Sequence, residues 1–250
     1  MKIIYSSILG CPKTIDDKLI LEQVDNSTDF VDNIKRNLKD VKKMVFISNR
    51  WDKITPLAQP GDEVFNDFHY TNEEYAKAVR TCFAMARLVF KEMVIVDGEY
   101  KGNLKKELAD ADFIYIQGGH TTRGLNVLNN LKFKEALKDF DGVILATSTA
   151  AKLPASKLLT TNRGNLVDYE IEDGLGLKDY SVRPHFRHNL KLKFNKKHRA
   201  RVKLLKNFSK EIDVYAIGAL SYIIDTGNEM IFYGPCYTFK NGKLRRAKNK

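Results

Sequence analysis

Short apolar runs alternate with amphipathic stretches along this chain. Lys2–Ser6, Met44–Ser48, Met93–Val96, Phe113–Ile116 and Val143–Ala146 are each only a few residues long and dominated by apolar side chains, the pattern of strands covered on both faces. The stretches between them carry the helical period. Asn72–Phe90 is the clearest: Thr71 and Glu74 form a capping box, and Tyr75, Val79, Phe83, Ala86 and Phe90 then recur at spacings of three or four along one face. Phe30, Ile34 and Leu38 repeat the pattern earlier. Strands separated by helices predict an α/β protein, a three-layer sandwich around a central, mostly parallel sheet.

The pattern changes after Ser181. A basic helical stretch, His198–Phe208, precedes four short strand-like runs, Val214–Ile217, Tyr222–Ile224, Met230–Tyr233 and Cys236–Phe239. Gly227-Asn228, Gly234-Pro235 and Asn241-Gly242 are turn signals among them. The expectation is a small antiparallel C-terminal appendage closing one sheet edge. No linker, repeat or low-complexity block interrupts residues 1–250, so one domain is expected, with 243–250 as a basic tail.

Composition narrows the function classes. The chain has 250 residues, ample for one large core. No apolar run approaches the roughly 18 residues that span a bilayer, so no membrane partner is expected. The first strand-like run begins at Lys2 and leaves no room for a signal peptide. Cys11, Cys82 and Cys236 are widely spaced, giving neither a disulfide framework nor a zinc motif. A cytoplasmic protein without a metal is the expectation. The net charge of +11 gathers in Lys191–Lys210 and Lys243–Lys250. An anion-attracting surface fits that, but so does a solvated helix with a frayed tail. No nucleic-acid partner is expected, because no aromatic side chains interleave with these charges in a binding motif.

Three segments carry candidate chemistry. Gly118-Gly119 directly follows the strand Phe113–Ile116, where backbone N–H groups at a strand's carboxyl end can face a ligand; an ordinary strand-to-helix turn fits equally. Ser148 follows the strand Val143–Ala146 and precedes Ala150 and Ala151, as a nucleophile elbow would, or as a helix N-cap would. His185 lies in Arg183-Pro-His-Phe186 and is either a general base or a satisfied loop histidine.

Taken in order, these segments resemble peptidase family S51, which holds peptidase E, an aspartyl dipeptidase. The resemblance runs from Lys2 to about Gly242. The family's Gly-Gly-Asn-Thr stands here as Gly118-Gly119-His120-Thr121, its Gly-x-Ser-Ala-Gly-Ala as Ala146-Thr147-Ser148-Thr149-Ala150-Ala151, its Thr-Thr-Asn as Thr160-Thr161-Asn162, and its Asn-Pro-His-Phe as Arg183-Pro184-His185-Phe186. Ser148 and His185 keep the family's separation of 37 positions. The resemblance implies a fold like that of class I glutamine amidotransferases, no cofactor, and a small peptide as substrate. It implies Ser148 as nucleophile, His185 as base, and the backbone N–H groups of Gly119 and Thr149 as an oxyanion hole.

The chain also departs from the family pattern. The residue after Thr-Thr-Asn, the family's triad acid, is Arg163, which cannot accept an imidazole N–H. Asp168 is then the expected substitute acid, ahead of Glu170 and Glu172. Gly118, His120 and Arg163 are expected to line the substrate site. His120 replaces the family's Asn, Thr149-Ala150 replaces Ala-Gly, and Leu159 replaces an arginine just before Thr-Thr-Asn. Two functions therefore stand: a serine peptidase acting on a dipeptide or small peptide, and a catalytically impaired homologue that binds a peptide, an anion or a protein.

Overall fold

A computed structural model describes residues 1–9, 11–16, 18–48, 70–161, 169–188 and 195–249. The elements in chain order are β1 (Lys2–Ser6), β2 (Lys13–Ile15), β3 (Lys18–Ile20), α1 (Phe30–Asn37), β4 (Lys43–Ile47), α2 (Asn72–Met85), β5 (Glu92–Val96), α3 (Leu104–Ala109), β6 (Phe113–Ile116), α4 (Thr121–Asn130), α5 (Phe133–Ala136), β7 (Val143–Thr147), β8 (Lys157–Thr161), β9 (Tyr169–Asp173), β10 (Tyr180–Arg183), α6 (Lys196–Phe208), β11 (Asp213–Ile217), β12 (Tyr222–Asp225), β13 (Met230–Tyr233), β14 (Cys236–Lys240) and β15 (Lys243–Arg246). A 3₁₀ turn, Ser148–Lys152, follows β7 directly.

The main sheet has seven strands in the order β13-β12-β1-β7-β6-β4-β5. β1, β7, β6, β4 and β5 are parallel neighbours, whereas β12 and β13 add antiparallel at the β1 edge. Strand alternation sends side chains to two cores. Ile3, Val45, Ile114 and Ile144 face α3, α4 and α5 on one side. Ile4, Phe46, Tyr115 and Leu145 face α1 and α2 on the other. Each large apolar side chain withdrawn from water in this way contributes about 1.5–3 kcal/mol. This is the expected three-layer α/β architecture.

A second, four-stranded sheet runs β10-β11-β14-β15 and packs under α6 through Leu159, Phe186, Leu205, Phe208 and Phe239. Tyr5 on β1 ties it to the main sheet: its hydroxyl lies 2.9 Å from the Tyr180 hydroxyl, and Tyr180 donates to Asp225 Oδ2 at 2.5 Å. Lys178 closes the network on the same carboxylate at 2.6 Å. This buried network anchors β10, and β10 delivers His185.

Three expectations are corrected. The long helix ends at Met85 rather than Phe90. Arg87 takes a left-handed φ of 61°, and the N–H groups of Arg87 and Leu88 turn back to the carbonyls of Ala84 and Phe83. The C-terminal strands do not form one appendage: β12 and β13 extend the main sheet, while β11 and β14 build the second, in which β10 and β11 are parallel. Finally, Lys243–Arg246 is not a frayed tail but pairs with β14 as an edge strand. Among the described residues, no helix is long and apolar enough to cross a membrane.

Candidate active site

Three strand ends build the site. β1 and β7 run parallel with Ser6 opposite Thr147, so the next residues, Ser7 and Ser148, leave the sheet side by side. β6 flanks β7 with Ile116 opposite Ala146, which brings Gly118 up beside Ser148. Carboxyl ends of parallel strands are where open α/β sheets hold ligands.

Ser148 sits at the strand-to-turn junction with φ 53°, left-handed for a residue that carries a Cβ. Such a conformation costs on the order of 1–3 kcal/mol and persists only where the surroundings enforce it. Here β7 is buried along its whole length and the 3₁₀ turn starts at Ser148 itself. Ala150 and Ala151 are buried beneath it. Gly118 is what lets β6 pass: a Cβ there would lie 2.6 Å from Ser148 Cβ and 2.9 Å from the Thr147 carbonyl oxygen. The expected sharp turn at Ser148 is therefore present.

His185 reaches the site from the second sheet, also with a left-handed φ of 56°. Its backbone N–H donates to Ser7 Oγ at 2.9 Å, and the next N–H, of Phe186, donates to the Ile217 carbonyl at 2.8 Å. The Phe186 ring is buried among Tyr237 and Phe239. Held in this way, the imidazole places Nε2 at 2.7 Å from Ser148 Oγ. Its Nδ1 lies 3.2 Å from Ser7 Oγ. Ser7 is wholly buried.

The surroundings are positive. Partial withdrawal of the ring from water, and then the charges of Arg183, Lys152 and Arg187, hold His185 below the ordinary histidine value. Lys152, at the end of the 3₁₀ turn, is only 6% exposed and donates to the Leu159 carbonyl at 3.3 Å. Burial, helped by the neighbouring Arg183 and opposed by Glu172, pushes its ammonium down to about 7. Arg183 is itself pushed down to about 10 by burial and then by Arg201.

The site therefore joins a serine with a left-handed backbone at a strand end to a histidine brought from elsewhere in the chain. The model of peptidase family S51 matches residues 67–230, which include the strand end, the elbow and the histidine. The chain belongs to peptidase family S51. Its fold is similar to that of a peptidase from an acI-B1 Actinobacterium, with 12% identity, a TM-score of 0.63, and 99% of this chain and 94% of that chain covered. It is also similar to a putative peptidase E protein from Listeria monocytogenes EGD-e, with 16% identity, a TM-score of 0.53, and coverages of 99% and 98%. No curated protein matches the chain.

Within this S51 site the expected residues separate into three groups. Gly118, Ser148, Thr149 and His185 are brought together, and Gly119 joins them through Thr149. The Gly119 N–H, expected in the oxyanion hole, donates to Thr149 Oγ1 at 2.6 Å, and the same hydroxyl donates to the Gly119 carbonyl. His120 serves as the N-cap of α4, its Nδ1 accepting the Arg123 N–H at 3.5 Å. Asn162, Arg163 and Asp168 lie outside the described residues. Tyr169–Asp173 form β9, where Glu172 accepts from Thr160 Oγ1 at 2.5 Å. Leu159, at the position of the family's arginine, is buried against α6.

Two residues of the site carry no motif and escape a reading by sequence. Ser7 is the group that faces His185 Nδ1, and its only signal is a polar pair, Ser6-Ser7, at the end of an apolar strand. Lys152 is marked only by its setting, a lone charge among Ala150, Ala151 and Leu153.

Proposed function

We propose that this protein is a serine-type peptidase that hydrolyses a dipeptide or another small peptide through Ser148 and His185. The observation that carries the reading is the 2.7 Å contact between Ser148 Oγ and His185 Nε2, made by a serine held at φ 53°. In the first step the Oγ–carbonyl carbon bond forms while the serine proton passes to Nε2. Nε2 then gives that proton to the leaving amine as the C–N bond breaks. Water completes the cycle: it attacks the acyl carbon, loses a proton to Nε2 and releases the carboxylic acid, and Ser148 regains its proton.

Gly118 gives the substrate carbonyl a close approach to Ser148. The N–H groups of Thr149 and Gly119 supply the oxyanion hole, the latter once the Thr149 hydroxyl yields to the substrate oxyanion. The positive charges of Arg183, Lys152 and Arg187 favour a small ligand bearing a carboxylate, as every free peptide does. Asp168, the expected substitute acid, lies outside the described residues, and among those described it is the hydroxyl of Ser7 that faces Nδ1.

The test is labelling by a fluorophosphonate probe together with dipeptide turnover. Ser148 should label in the wild type and lose labelling in Ser148→Ala and, to background, in His185→Ala. Wild-type protein that neither labels nor turns over any dipeptide would overturn the reading. One observation favours the second reading, a binding module with an impaired centre: the Gly119 amide is already engaged by Thr149. Peptide binding measured by calorimetry without turnover is its signature.

A further inference from the structure

The side chain of Ser7 makes two hydrogen-bond contacts among the described residues, both with His185. It accepts the His185 backbone N–H at 2.9 Å, and it stands 3.2 Å from the ring's Nδ1. Its side chain is shut off from water. A serine hydroxyl has one proton and two acceptor sites, and an imidazole in its neutral form has one N–H and one bare nitrogen. Only one assignment satisfies every group. The Ser7 hydroxyl donates to a bare Nδ1 while accepting the backbone N–H, and the ring proton sits on Nε2, pointing at Ser148 Oγ. In the opposite tautomer Ser7 accepts two N–H bonds and its own proton is left buried without an acceptor. Leaving a buried donor unsatisfied biases an equilibrium by roughly tenfold or more.

We propose that Ser7 is a positioning residue occupying the place of a triad acid, and that its hydroxyl holds the resting imidazole in the Nε2–H tautomer, which cannot accept the Ser148 proton. The inference rests on the peptidase reading for its catalytic consequence but not for its structural content. A carboxylate at this place would accept Nδ1–H and stabilise the imidazolium as it forms. A hydroxyl fixes the ring's orientation through the same geometry and supplies no charge. The Ser148–His185 pair is therefore well placed and poorly activated. Base function requires the minority tautomer, in which the Ser7 proton loses its partner, and turnover is reduced by at least that tautomer ratio.

The experiment is a long-range ¹H–¹⁵N correlation spectrum of the full chain labelled with ¹⁵N-histidine, recorded well above the His185 pKa. The sequence has five histidines, and His185→Gln identifies the signal that belongs to this one. The wild type should show a bare Nδ1 and a protonated Nε2. Ser7→Ala should reduce that preference to a mixture. Ser7→Asp should move the proton to Nδ1, raise the imidazole pKa and increase dipeptide turnover roughly tenfold or more. A wild-type His185 that carries its proton on Nδ1 overturns the proposal, and that measurement needs no variant to fold. A Ser7→Ala protein that folds with an unchanged tautomer also overturns it. If the tautomer shifts occur and no variant labels or hydrolyses, the positioning role stands and the peptidase reading falls.

Discussion

Thr149 Oγ1 bridges both backbone polar groups of Gly119, accepting its N–H at 2.6 Å and donating to its carbonyl oxygen. On the proposed peptidase reading, the hydroxyl thus takes the place of the substrate oxyanion. Thr149→Ala should free the amide and speed both fluorophosphonate labelling of Ser148 and dipeptide turnover, by on the order of tenfold, a fraction of what one oxyanion donor is worth. Stopped labelling time courses of the two proteins make the comparison. Equal or slower labelling in Thr149→Ala would mean that Gly119 is no oxyanion donor.

Gly118→Ala tests the close passage of β6 past the elbow. The added methyl carbon would lie 2.6 Å from Ser148 Cβ, and the neighbour on its other side is the Thr147 backbone, which has little freedom to move. Overpacking of this kind costs about 1–3 kcal/mol. The expected outcome is a folded, destabilised protein in which Ser148 no longer meets His185, with turnover lost by about 100-fold or more. Melting curves and turnover read the two effects separately, and wild-type turnover in the variant would refute the steric argument.

Lys152 sets a pH dependence of stability with a known sign. Its folded-state value of about 7 lies far below the ordinary 10.5, so between these the unfolded chain binds more protons than the folded one. Stability from this group is lowest below about pH 7 and recovers as the pH rises toward the unfolded value. Lys152→Met should therefore raise Tm, and raise it more at about pH 6 than at about pH 10. It also removes a positive neighbour of His185 and should move the acid limb of kcat/KM upward, from a starting point below 6.5. A stability gain independent of pH would show that the ammonium is not what the burial penalises.

Asp225 acts at a distance. Despite burial, Lys178, Tyr180 and the Gly227 N–H hold its carboxylate below the usual range. The stability it supplies is present above the unfolded value of 3.8 and is lost as the pH falls through the folded one. Asp225→Asn leaves Lys178 without its partner, a change that costs about 3–5 kcal/mol when a buried pair is broken. It should also lower turnover, because Tyr180 and β10 carry His185. Calorimetric melts across acid pH check the first effect, and an unaltered melting temperature would exclude it.

Much of the fold was legible because its signals are local. The apolar runs of β1, β6 and β13 end where the pattern ends. The Thr71 capping box is present as read, with the Thr71 hydroxyl accepting the Glu74 N–H at 3.2 Å. Where α2 stops was not legible. The turn that ends it uses Arg87 in a left-handed conformation, a place where glycine would have given the signal, and Phe90 stays buried beyond the helix, continuing the apolar pattern. The split of the C-terminal strands between two sheets was not legible either, since alternation gives a strand its faces and leaves its neighbours open.

The same division runs through the site. By itself the sequence offered Gly118, Ser148 and His185 as candidates, through the order and spacing of motifs that resemble family S51, since each motif alone also fits an ordinary turn, cap or loop. Tertiary structure alone decided what faces the second ring nitrogen. Ser7 and His185 are 178 positions apart, and no pattern near either one connects them. Their meeting depends on the parallel register that sets Ser6 opposite Thr147, and on the Tyr5–Tyr180–Asp225 network that carries β10 over that sheet end. Register and docking are settled by the packing of whole elements, so a buried hydroxyl becomes part of the site only when the chain has folded around it.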